Sequence, residues 1–314
     1  MGFDESDFGD HLILLEKDAT SDGGLYSICL QTSAYMGHDI IMNMLLQRGA
    51  KVNAVCGQFG SALQAAAWTG RQNIVQILCD ANADVNSMGG RFTHPLLAAV
   101  LGGNKDVVQL LLDYGAHPNA PCGSYGHALQ AASLMGYVII VDVLLGKGAD
   151  VNAQGGQYGT ALQAAAYSGQ KDIILTLLAR GADISAGQSG RVGECGSALH
   201  AAVYQGHKDI VRVLLHAGAD LNAESGEYGN ALHAAMCRRD KTMVELLLEA
   251  GANINTPCAY HGNTLDAAIN LGLPQFVDLL INRGAWPSRP ITTPDMNTRT
   301  LLRRRGVDVE FDNY

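Results

Sequence analysis

Charge is scarce in this 314-residue chain: 16% of residues carry it, and 30 acidic against 21 basic residues leave a formal net charge of −9. Aromatic residues are scarcer, at 6% with two tryptophans, and proline occurs eight times. Each shortage excludes something. A disordered chain would hold fewer apolar residues than the 47% found here. A nucleic-acid-binding protein selects a basic face, which the acidic balance opposes. No apolar run approaches the roughly 18 residues needed to cross a bilayer. The first 25 residues hold Asp4, Glu5, Asp7 and Asp10 without a basic flank, unlike a secretory signal. Residues 1–6 fit the myristoylation pattern formally, but Phe3 and two acidic residues crowd the acceptor. Seven cysteines, an odd number, suit a reducing compartment better than a disulfide scaffold. The expectation is an intracellular, cytoplasmic chain, with the nucleus as the alternative, that touches neither membrane nor nucleic acid.

What the chain has is repetition. The segment GSALQAAAWTG at 60–70 returns as GHALQAASLMG (126–136), GTALQAAAYSG (159–169), GSALHAAVYQG (196–206) and GNALHAAMCRR (229–239), with weaker copies at 28–37, 93–103 and 262–272. Its leucine falls at 30, 63, 96, 129, 162, 199, 232 and 265, in steps of 33 except one of 37. Two further markers keep that phase. One is a glycine at 49, 115, 148, 181, 218, 251 and 284, with Asn82 in the missing slot. The other is an asparagine at 53, 86, 119, 152, 222 and 255, with Ser185 in its fifth position.

Each unit reads as two short helices and a turn. In GTALQAAAYSG, Leu162, Ala165 and Ala166 lie at helical spacing before Gly169, a helix C-terminal residue of left-handed conformation. In the helix that follows, Ile173, Ile174, Leu177 and Leu178 form one apolar face, ended by Gly181. Asn82 should tolerate the positive φ of its slot, whereas Arg239, in a glycine slot, should cost on the order of 1 kcal/mol. Helices this short are unstable alone, so stacking on neighbours must supply the stability.

A 33-residue unit ending in LLxxGADVNA and opening on a turn like Thr-Pro-Leu-His resembles the ankyrin repeat, over about residues 27–288. The resemblance implies an all-α fold: an ankyrin-type α-solenoid of about eight 33-residue helix-turn-helix repeats, with β-hairpin fingers and partial capping repeats. It divides the chain into an acidic leader and partial N-terminal cap (1–26), the array (27–288), and a partial C-terminal cap and tail (289–314). Residues 11–20 and 298–309 resemble truncated repeats. Several departures stand out. The usual Asp slot holds Cys56, Cys122 or Cys258 in some units, an aromatic fills a Gly slot, and Gln64, Gln130 and Gln163 replace a His kept at His200 and His233. The variant GGxYGxALQAA resembles repeats in long regulatory proteins of filamentous fungi, yet no phosphate-binding G-x-x-x-x-G-K-[ST] loop occurs here.

Chemical constellations resolve into structural roles. His200 and His233 occupy one slot of adjacent repeats, roughly 10 Å apart by helix spacing, too far to share an ion whose ligands lie about 2 Å away. Cys56, Cys122 and Cys258 lie at least two repeats apart, beyond disulfide reach. C-x-x-C, H-E-x-x-H and G-x-S-x-G are absent. No catalytic residue, cofactor or metal site is expected, and the chain is not expected to be an enzyme.

The resemblance points instead to recognition of a protein or peptide by a monomeric array. In the family, the position two residues before the first-helix glycine faces the concave groove; here it holds Tyr35, Trp68, Leu101, Leu134, Tyr167 and Tyr204. The fingers contribute Gln58, Phe59, Arg91, Phe92, Tyr125, Gln157, Tyr158, Glu227 and Tyr228. The finger aromatics have a competing role, stacking on one another to stiffen the edge. The rival function is a structural spacer or sensor array in a larger signalling protein. The four extra residues within 185–195 should lengthen one finger and leave the flanking helices in register.

Overall fold

The computed structural model describes residues 24–187, 196–224, 229–258, 262–288, 296–304 and 306. The chain divides into two compact units, Met1–Gly156 and Gln157–Tyr314. The described part of the first unit contains helices α1 (Gly24–Met36), α2 (Asp39–Gln47), α3 (Ala62–Thr69), α4 (Gln72–Asp80), α5 (Pro95–Leu101), α6 (Lys105–Asp113), α7 (Ala128–Met135) and α8 (Val138–Gly146). The second contains α9 (Ala161–Ser168), α10 (Lys171–Ala179), α11 (Ala198–Gln205), α12 (Lys208–His216), α13 (Ala231–Cys237), α14 (Lys241–Glu249), α15 (Thr264–Asn270), α16 (Pro274–Asn282) and α17 (Met296–Arg304). The first helix begins at Gly24, three residues ahead of the array start expected from the repeat phase. The helix α17 lies where a partial terminal repeat was expected, packed on α16 with Leu302 buried. Residues 11–20 lie outside the described part.

Each unit is built by stacking like on like. In the first, α1 packs on α3, α3 on α5 and α5 on α7; in the second, α9 packs on α11 and α11 on α13. The alanines explain the closeness of these contacts. In α3, six consecutive residues from Ala62 to Ala67 are buried, and in α9 the same holds from Ala161 to Ala166. A helix wrapped on all sides needs small side chains all round. The second helix of each repeat buries one stripe instead: Ile74, Val75, Leu78 and Cys79 in α4, and Ile173, Ile174 and Leu177 in α10, with Leu178 at its margin.

The left-handed slots behave as the phase demands. Asn82 takes φ +63° where the other repeats use glycine, and Arg239 takes φ +57°. Thr93 is a third case, at φ +61° in the slot filled by Gly60, Gly126 and Gly159. A β-branched residue there is a genuine outlier.

The fingers are tighter than the hairpins expected. Cys56 N–H donates to Gly60 O at 2.7 Å, Gly89 N–H to Thr93 O at 3.0 Å and Cys122 N–H to Gly126 O at 2.6 Å. Extended pairing reaches two residues per strand in one described finger, where β1 (Pro257–Cys258) lies antiparallel to β2 (Gly262–Asn263). At Gly60, Thr93 and Gly126 a positive φ just before the helix cap turns the chain back beside the bond of that finger. The four-residue expansion falls between α10 and α11, both intact; residues 188–195 are outside the described part.

Candidate recognition surface

The slot residues close the first helices. In the first unit, Tyr35, Trp68, Leu101 and Leu134 sit at the C-terminal ends of α1, α3, α5 and α7 and are all half-buried. Each follows a run of buried residues, so each is the point where the helix reaches solvent. Rings from the fingers come to meet them. Tyr35 stacks on Phe59 with centroids 5.0 Å apart, Phe59 on Phe92 at 6.1 Å, and Trp68 on Phe92 at 4.7 Å. The slot aromatic of one repeat therefore packs against the finger of the next.

Phe92 departs from its expected place at the finger surface. It is 2% exposed, wedged between Phe59 and Trp68, and offers no face to a partner. Its burial has a physical source in the ring on either side, each pair adding about 0.5–1.5 kcal/mol beyond area burial. Above it, the Arg91 guanidinium lies 5.6 Å from the ring centroid. Gln58 and Arg91 are exposed and joined by a backbone bond from Arg91 N–H to Gln58 O at 3.0 Å; Tyr125 is half-buried in a 3-10 turn, Gly123–Tyr125.

In the second unit the pairing changes. Tyr158 meets Tyr167 of its own repeat at 5.1 Å with the rings tilted by 56°. Tyr204 lies under the Arg238 guanidinium at 5.2 Å, a contact that sequence phase alone did not reveal because Arg238 sits outside every marker slot. Gln157 is exposed, whereas Glu227 and Tyr228 lie outside the described residues.

Two ladders of side-chain amides hold these surfaces in register. Gln64, fully buried, accepts from Ser61 N–H at 2.8 Å and donates to Gly89 O of the next finger at 2.8 Å, while Ser61 Oγ caps Gln64 N–H. Thr160 and Gln163 repeat this capping box, and Gln163 reaches Gly196 O. His200 does the same work by other atoms. Its Nδ1 lies 2.8 Å from Ser197 Oγ and its Nε2 3.1 Å from Gly229 O. Gln64 and Gln163, like His200, join the cap residue of their own helix to a backbone carbonyl of the next repeat, while Gln130 Nε2 reaches Ala153 O at 2.9 Å. Burial drives the His200 pKa down from 6.5 to about 4 against the opposing pull of Gly229 O and Asp220; burial lowers that of His94 as well.

The second ladder is the phased asparagine. Asn53 donates to Asn82 O and accepts from Asp84 N–H at 2.7 Å; Asn86 treats Gly115 and His117 alike; Asn119 bonds Gly148 O at 3.0 Å and Asp150 N–H at 2.8 Å. The sequence marked these residues by period, and the structure supplies their role. Cys56 is half-buried, and burial pushes the Cys122 thiol up to about 11. Among the described residues no group of three or more His, Cys, Asp or Glu could hold a metal, and no helix is long and apolar enough to cross a membrane.

The family described as ankyrin repeats (3 copies) matches residues 91–155, 155–225 and 199–290, together more than half of the chain. Among solved structures, the ankyrin repeat domain of human ASB11 is similar with a TM-score of 0.62 and 23% identity, covering 71% of this chain and 98% of that one. Identity that low speaks for the fold alone. No curated protein matches the chain.

Proposed function

The chain belongs to the ankyrin-repeat family, whose members are in general protein–protein interaction modules, and from that premise we propose that it is a non-catalytic module holding a protein or peptide partner along its first-helix ends and fingers. One observation supports this reading above others. In every repeat from Tyr35 to Tyr204 the slot after the buried helix stretch holds a large apolar or aromatic side chain that stays half-exposed. Such side chains on a rigid frame lose little entropy on binding and dominate interface energies. Exposed Gln58 and Arg91 in one unit, and Gln157 in the other, would orient the partner.

The spacer reading draws on a different observation, the stack Tyr35–Phe59–Phe92–Trp68, which turns part of each ring toward its neighbour. Leu134 and Tyr167 separate the two, because Leu134 is no part of a ring stack and Tyr167 meets Tyr158 with the rings tilted rather than stacked. Peptides selected from a random display library on the full chain should bind Leu134→Ala or Tyr167→Ala about tenfold or more weakly. Selected peptides indifferent to both substitutions would favour the spacer.

A further inference from the structure

Seven of the eight repeats place glycine in the left-handed slot that ends the first helix, at 37, 70, 103, 136, 169, 206 and 272. The remaining repeat places Arg239 there, at φ +57°. Glycine would relieve the backbone, so the side chain is held in a conformation unfavourable to an L-residue with a Cβ. Strain retained in one repeat, at a slot that the other repeats fill with glycine, directs attention to what that side chain does.

Arg239 opens onto a cleft of about 370 Å³ lined also by Val203, Arg238, Asp240, Lys241 and Thr242. Arg238 and Arg239 are both exposed, and neither has a carboxylate partner among the described residues. Arg238 covers the Tyr204 ring, so the cleft adjoins the slot residue of the preceding repeat. The lining holds three cations, Arg238, Arg239 and Lys241, against one carboxylate, Asp240, with Lys208 and Glu245 beside it. Asp240 caps α14 by accepting from Met243 N–H at 3.0 Å and pairs with Lys208 at 3.2 Å; Glu245 lies 3.8 Å from Lys241. Both carboxylates are engaged by lysines, which leaves the guanidiniums as the open charges. A cationic cleft on a chain of net charge −9 is a local reversal of sign, and guanidiniums grip planar anions through paired N–H groups.

We propose that this cleft seats an acidic side chain, aspartate or glutamate, of a linear peptide from a partner protein, with the neighbouring peptide residue lying on Tyr204. The proposal rests on the recognition reading above and names the chemistry it selects. Asp240 is the anion of the cleft lining. Burial works to raise its pKa, but the bonds from Thr242, Met243 and Lys208 outweigh it and hold the group ionised.

The test uses fluorescence anisotropy on the full chain with fluorescein-labelled hexaglutamate, a phosphoserine peptide of equal length and hexalysine. Hexaglutamate should bind tightest and weaken as salt rises. Arg239→Gly and Arg238→Ala should each weaken it about tenfold or more, and Arg239→Lys less than Arg239→Gly. The glycine variant restores the usual residue of the slot, so thermal unfolding should show it at least as stable as the parent, separating lost binding from lost fold. Unchanged hexaglutamate affinity in Arg239→Gly, or tighter binding of phosphoserine or hexalysine, overturns the proposal. If display-selected peptides depend on Leu134 or Tyr167 while hexaglutamate ignores Arg239, the cleft proposal falls alone. If no peptide of any charge binds the chain, the recognition reading falls with it.

Discussion

Acidification should loosen the repeat that carries His200, and a single substitution should abolish the effect. His200 is 4% exposed and bonded through both ring nitrogens. Its pKa falls from 6.5 to about 4 on folding, chiefly through burial. The folded state therefore resists a proton that the unfolded state accepts. Stability from the neutral ring is fully present above pH 6.5 and drains away as pH falls toward about 4. A shift of that size, at ~1.36 kcal/mol per unit, is worth roughly 3 kcal/mol over the whole window. At pH 4.5 most of it, about 2–3 kcal/mol, should already be lost.

His200→Gln is the matched control, because glutamine fills the same slot at 64, bonds both its own cap residue and a backbone carbonyl of the next finger, and does not titrate. Hydrogen exchange resolved by segment, at pH 7 and 4.5 and corrected for intrinsic rates, reads the local opening free energy over residues 196–216. The parent should lose about 2–3 kcal/mol more than His200→Gln between those two conditions. The comparison cancels the carboxylates, common to both proteins, and His94, whose lowered pKa acts in the other unit. A difference below about 0.5 kcal/mol would refute the reasoning, since so buried a ring could not then be destabilised by its proton.

Other outcomes follow from the same geometry. Trp68→Ala should destabilise the first unit by about 2–3 kcal/mol in urea unfolding, because the ring supports buried Phe92; this exceeds the figure for an ordinary surface site. Asn119→Ala removes two bonds to the following repeat and should lower local exchange protection around 148–150 by about 1–2 kcal/mol. Arg239→Gly should raise stability by about 1 kcal/mol in thermal unfolding. In the parent, residues 232–285 should exchange faster than 129–181, because the repeat at 229–261 combines strained Arg239 with exposed Cys237; equal or greater protection there would contradict nearest-neighbour stacking.

The sequence is most informative where one residue type must recur for one geometric reason. A 33-residue phase located both helices of each repeat, and it marked Asn82 and Arg239 as the non-glycines of left-handed slots. Thr93 escaped because its slot was described through the aromatic-glycine pair, which that repeat breaks. Phe92 was misplaced for a different reason. Period tells which element carries a ring but not whether rings from two repeats close over it, and Trp68 and Phe59 do. Arg238 over Tyr204 lay beyond period altogether, since a contact between unlike slots has no recurrence to betray it. The exchange of histidine for glutamine looked like erosion of a motif; the atoms show either side chain joining its own cap residue to a backbone carbonyl of the next repeat.

The amide ladders have a direction. Asn53, Asn86 and Asn119 each bond the backbone 29 and 31 residues ahead, and Gln31 and Gln64 reach the finger that follows. A chain made from its N-terminus lays down these side chains before the backbone they will engage exists. Each finished repeat then presents a waiting set of donors and acceptors to the segment next to leave the ribosome. Assembly has a grain as a result: growth toward the C-terminus adds a repeat onto side chains already fixed by their own helices. Truncations should reflect that grain, with removal of the last repeat leaving side-chain amides exposed to water and removal of the first leaving the carbonyls of Cys56 and Gly60 to be resolvated in their place.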